Sequence, residues 1–87
     1  GRVAKLLAKK LMFLANNHQL ICITHLPQIA CTADNHYLLS KRVVNGDTVT
    51  VAKLLTEDNQ VREIARMLDG SLNKTTLEHA RELIDRK

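Results

Sequence analysis

Aromatic residues are nearly missing from this 87-residue chain: Phe13 and Tyr37 are the only two, and there is no tryptophan. A core must therefore be built from Leu, Ile, Val and Ala, and a platform on which bases stack, as in single-strand binders, is not provided. Cysteine is also scarce. Cys22 and Cys31 are too few for a disulfide framework, and both lie among apolar neighbours, which fits a reducing cytosol. With three glycines, the chain contains no G-x-x-x-x-G-K-[ST] phosphate loop. No apolar run approaches the roughly 20 residues that span a bilayer. The first residues interleave charge with apolar side chains, unlike a secretory leader. These absences imply no membrane association and a cytoplasmic setting.

The residues that are present describe an ordinary small globular unit. Hydrophobic residues make up 45 %, too many for a disordered chain. The length allows at most one small domain of modest stability. The net charge of +4 is compatible with a polyanionic partner, though a solvated basic surface is the ordinary reading. Positive charge is scattered except at Arg2, Lys5, Lys9 and Lys10, the candidates for nucleic-acid contact.

"RVAKLLAKKLMFLA", residues 2–15, predicts a helix with Val3, Leu6, Leu7, Leu11 and Leu14 as its inward stripe. "LICIT", residues 20–24, is a short Ile-rich run that suits a strand buried on both faces, as in a parallel sheet. Pro27 fits the first position of a short following helix, with Ile29, Ala30 and Ala33 inward. Asn45-Gly46 predicts a hairpin with strands near 36–44 and 48–55. "EDNQVREIARMLDG" predicts a helix with Val61, Ile64, Ala65 and Leu68 inward, led by acids and ended by Gly70. In the last helix Thr75 and Glu78 match a capping box, and Leu77, Ala80, Leu83 and Ile84 face inward. The expected order, α-β-α-β-β-α-α, is an α/β fold.

Two sets of residues could carry chemistry. Cys22, His25, Cys31 and His36 read as C-x2-H-x5-C-x4-H, all zinc-binding types. Against a zinc module stands Cys22, which lies within an apolar run where cysteine behaves as a small hydrophobe. His18 and His79 are expected at the surface. His25 is different, because it falls where the predicted strand stops. Ligands bind beyond the carboxyl ends of strands in open α/β sheets. An imidazole there can exchange a proton or hydrogen-bond a phosphate. It can also be a simple turn residue, and the residue pattern leaves these readings open.

"CITHLPQIA", then "ADNHYLLSK", a hairpin, "REIARML" and "TLEHARELI", together resemble the RecN family of bacterial DNA repair proteins. The resemblance covers essentially the whole chain and falls at that family's C-terminal end. "THLPQIA" is its most specific part, and "GRVAKLLAKKL" resembles the segment after the Walker B and D-loop motifs. The family is related to the SMC (structural-maintenance-of-chromosomes) ATPases and more distantly to ABC-type ATPases.

The resemblance implies that residues 1–87 form one partial domain, the C-terminal part of a P-loop NTPase head of ABC/SMC type. It implies a parent that hydrolyses ATP with Mg²⁺ in recombinational repair of DNA double-strand breaks. His25 would then be the switch histidine near the γ-phosphate, and the remaining motifs would lie upstream. Partners implied are the rest of the head, a second head in an ATP-dependent dimer, and DNA, with a nucleoid-associated location. The isolated segment is expected to bind neither ATP nor Mg²⁺, to be inactive as an ATPase, and to be prone to self-association. A small basic nucleic-acid-binding module and a zinc-binding structural module are the competing readings.

Overall fold

The computed structural model describes residues 2–86. Four helices and one hairpin follow in the order α1 (Arg2–Ala15), α2 (Pro27–Ala30), β1 (Tyr37–Val44), β2 (Asp47–Leu54), α3 (Glu57–Asp69) and α4 (Lys74–Asp85). Local chemistry explains most boundaries. Asn16 and Asn17 close the end of α1 onto the Phe13 and Leu14 carbonyls, and His18 Nδ1 lies 3.1 Å from the Leu14 carbonyl. Thr56 caps α3 by accepting from the Asn59 amide at 3.3 Å. Gly70 ends that helix at φ 74°, its N–H donating to the Arg66 carbonyl, a left-handed cap that glycine adopts without strain.

The hairpin also follows local rules. Asn45 and Gly46 both take positive φ, 51° and 84°, as a two-residue type I′ turn requires. The register pairs Val44 with Asp47 and runs to Tyr37 opposite Leu54. The Leu55 amide then donates to the His36 carbonyl at 2.9 Å and closes the open end. The ribbon buries little against the helices, since only Leu38 and Val51 along it are even half-buried.

The core lies where α2, α3 and α4 meet. Ala30 and Cys31 pack with Val61, Ile64, Ala65 and Ala80, ringed by Met67, Leu68, Leu77, Leu83 and Ile84. Small residues let the helices approach closely around Ile64, the one large side chain that is fully buried among the described residues. The inward faces expected of α3 and α4 are the faces used.

Three expectations are corrected. Residues 20–24 form no strand; among the described residues the sheet contains only β1 and β2. A doubly buried strand needs ladder partners and covering layers, and none lies beside this run among the described residues. Ile21 and Ile23 are instead 88 % and 85 % exposed, so the order is α-α-β-β-α-α. The stripe of α1 does not face inward either. Ala4 and Ala8 are its buried residues, whereas Val3, Leu6, Leu7 and Leu14 are exposed and Leu11 is half-buried. The neighbouring α2 is only one turn long, too short to cover the stripe. Finally, α4 begins at Lys74 with Asn73 as its cap, not at a Thr75–Glu78 box, because the Asn73 side chain accepts from the Thr76 amide at 2.9 Å.

Candidate functional site

His25 sits in a bend between the irregular 19–24 segment and α2. The Leu26 amide donates to Thr24 Oγ1 at 3.0 Å, closing a short ring around His25. Leu26 is also the N-cap of α2, and its carbonyl accepts from the amides of Ile29 and Ala30 at 3.1 and 3.0 Å. Pro27 occupies the first helical position, where a missing N–H costs nothing. Beneath the bend Pro27, Ile29, Ala30 and Cys31 are buried. The His25 imidazole itself is exposed. The arrangement is a buried pedestal that carries one exposed imidazole, flanked by uncovered apolar residues.

The zinc reading fares differently. Cys22 is exposed and Cys31 is buried, with its Sγ donating to the Gln28 carbonyl at 3.3 Å. Among the described residues no three His, Cys, Asp or Glu side chains converge where they could hold a metal ion. The apolar run around Cys22 does not bury it, contrary to the expectation for that residue, because the run has no strand neighbours.

Arg2, Lys5, Lys9 and Lys10 are all exposed on α1. Arg2, Lys5 and Lys9 follow helical spacing along one side. Lys9 and Lys10 border a shallow groove with Phe13 and Leu14, and His25 is not part of it. His18 and His79 are at the surface, as expected.

One cluster escaped the sequence reading. Glu63 on α3 is only 8 % exposed, and Arg66 one turn later grips its carboxylate. Arg66 Nε donates to both Glu63 oxygens at 3.0 Å, and Nη2 adds a third bond to Oε1. That bond set raises the guanidinium pKa further above its ordinary value. His36, just before β1, senses the same carboxylate. Burial lowers the His36 pKa more strongly than the Glu63 charge raises it. Its Nδ1 and the side-chain amide nitrogen of Gln60 are buried without a hydrogen-bond partner. The spacing of Glu63 and Arg66 hinted at their pairing, but nothing local indicated that His36 would lie within reach of the Glu63 charge.

No helix among the described residues is long and apolar enough to cross a membrane. No family model matches the chain. The curated relatives are consistent with one another. DNA repair protein RecN of Halalkalibacterium halodurans is 43 % identical over 86 residues, 98 % of this chain and 15 % of that protein. RecN of Deinococcus radiodurans is 46 % identical over 84 residues, 97 % of this chain and 15 % of its own. RecN of Bacillus subtilis is 41 % identical over 85 residues, again 97 % and 15 %. The chain thus spans about 15 % of the length of these relatives, while nearly all of this chain aligns with them. It belongs to the RecN family and corresponds to a C-terminal segment of its members.

Proposed function

We propose that this segment is part of an ATPase head acting in recombinational repair of DNA double-strand breaks, and that His25 is the group it brings to the ATP site. The observation that carries the reading is the placement of His25: exposed, and held at a bend on the anchored N-terminus of α2. From there an imidazole can hydrogen-bond a γ-phosphate oxygen or orient the attacking water. Phosphoryl transfer depends on such positioning and charge stabilisation more than on covalent chemistry. That the relatives are named DNA repair proteins supports the role in repair.

The segment would supply only part of the site. Its sequence holds no phosphate loop, and no acidic cluster suited to Mg²⁺ forms among the described residues. On the family resemblance, binding of ATP and Mg²⁺ would fall to other parts of the parent. The surface area is in keeping with a partial domain, and an ABC/SMC-type P-loop head is the whole to which the family resemblance assigns it. At 6830 Å² the surface is roughly a third larger than the ~5,200 Å² typical of a compact monomer of this size. The radius of gyration agrees: 14.1 Å, against about 12 Å for a compact chain of this length. The uncovered apolar residues of α1 and of 20–23 are the surfaces on which the rest of the head would lie. A second head and DNA are the partners of the parent, in a cytoplasmic, nucleoid-associated setting. Arg2, Lys5, Lys9 and Lys10 suit sequence-independent phosphate contact, a weaker second reading carried by their shared exposure on α1.

The test is His25→Ala in the full-length parent. ATP turnover should fall at least about tenfold, or about 1.4 kcal/mol of barrier, with nucleotide affinity nearly unchanged. Unchanged turnover removes His25 from the mechanism.

A further inference from the structure

We infer that Thr24 is a positioning residue for His25, acting through its hydroxyl oxygen; this rests on the reading of His25 as an ATP-site group. No hydrogen bond holds the His25 side chain among the described residues, so its location is set by the backbone on either side. The following side is fixed. Pro27 restricts its own φ, the Leu26 carbonyl takes two helical amides, and Pro27, Ile29, Ala30 and Cys31 are buried. The preceding side is not fixed, because residues 19–23 have no ladder and are exposed. The hydrogen bond across His25 is the one from the Leu26 N–H to Thr24 Oγ1, at 3.0 Å.

Exposure along the segment agrees. Thr24 is half-buried, whereas Ile23 before it and His25 after it are exposed. The Thr24 hydroxyl is thus turned onto the Leu26 amide, while the His25 side chain stays exposed. Removing the hydroxyl would free the bend to open and leave the partly buried Leu26 amide without that acceptor. Small displacements of a reacting group are costly, since a misplacement of about 1 Å can reduce a rate by two orders of magnitude.

The chemistry required is an acceptor oxygen on the β-carbon, and the substitutions follow from it. Thr24→Val keeps the shape and removes the acceptor, while Thr24→Ser keeps the acceptor. Both are to be made in the full-length RecN parent, beside His25→Ala and the Thr24→Val/His25→Ala double variant. We expect Thr24→Val to lower kcat by at least about fivefold, with KM for ATP and the affinity for a fluorescent nucleotide within about twofold of wild type. Thr24→Ser should match wild type within about twofold. The double variant should be no slower than His25→Ala alone, because no imidazole remains to be positioned. Wild-type turnover in Thr24→Val beside a defective His25→Ala overturns the role of Thr24 and leaves that of His25 intact, as does a double variant in which the two losses multiply. Full turnover in His25→Ala has a different signature and overturns the underlying reading. If Thr24→Val melts out, Thr24→Ala against Thr24→Ser carries the same comparison, and equal turnover in that pair sinks the proposal.

Discussion

The Thr76 hydroxyl donates to the Asp69 carboxylate at 2.9 Å across the turn between α3 and α4. The other Asp69 oxygen accepts from the Ser71 amide at 2.8 Å, the Ser71 hydroxyl accepts from the Asn73 amide at 3.1 Å, and Asn73 caps α4. Thr76 is buried and Asp69 exposed, so the bond joins the core edge to solvent. These bonds tie the start of α4 to the end of α3, whose Val61, Ile64 and Ala65 pack with Ala80. Thr76→Val should lower stability by about 1–2 kcal/mol, since a bond to a charged acceptor is lost but the carboxylate can rehydrate. The denaturant midpoint measures this, and an unchanged midpoint would show that the turn is held by its backbone alone.

His36 gives stability a pH dependence. Burial holds its folded pKa below the ordinary 6.5, so between those values the unfolded chain binds more protons than the folded one. The contribution is present above pH 6.5 and is lost as pH falls through the folded pKa. The urea midpoint of the wild type should drop between about pH 7.5 and 5.5, and that of His36→Gln should drop less. A wild-type midpoint that rises on acidification would mean that the Glu63 charge outweighs burial.

The isolated segment should not turn over ATP. One imidazole cannot replace the phosphate loop and metal that carry most of the transition-state stabilisation. Magnesium-dependent hydrolysis by the pure segment, abolished in His25→Ala, is the contrary result.

If the segment binds DNA, the contact should be electrostatic and indifferent to sequence. Each phosphate neutralised contributes about one to the slope of log affinity against log salt. Converting Lys9 and Lys10 to Gln should therefore reduce that slope by about two, equally for unrelated duplexes. An affinity that survives high salt, or a strong preference for one sequence, argues for another mode.

The uncovered residues 20–23 should drive self-association of the isolated segment, by strand pairing or apolar contact. Ile21→Lys with Ile23→Lys should shift sedimentation toward monomer. Amides 20–24 should exchange fast in the monomer and slowly in the associated form. A wild-type segment that stays monomeric at high concentration contradicts this.

Much of the fold was legible from residues acting on near neighbours. Helix α1 at 2–15, the Asn45-Gly46 turn and the Gly70 stop depend on dihedral preferences and hydrogen bonds within a few residues, and they stand where the sequence puts them. The start of α4 was misread although it is local. Two caps competed, and the Asp69–Ser71–Asn73–Thr76 network favoured Asn73.

His25 and Pro27 could be singled out from sequence, as the place where an apolar run ends and a helix begins. The cluster of His36 with Glu63 could not, because packing brings together residues far apart in the chain. The sequence by itself determined the helices, the hairpin and the family resemblance, since each is written in short-range patterns. Tertiary structure alone decided that the 20–24 run is uncovered, that Ala4 and Ala8 rather than the leucine stripe of α1 are buried, and that His25 is exposed on a fixed base. The physical reason is that apolar periodicity states what a segment could bury, while the neighbours actually alongside decide what it does bury.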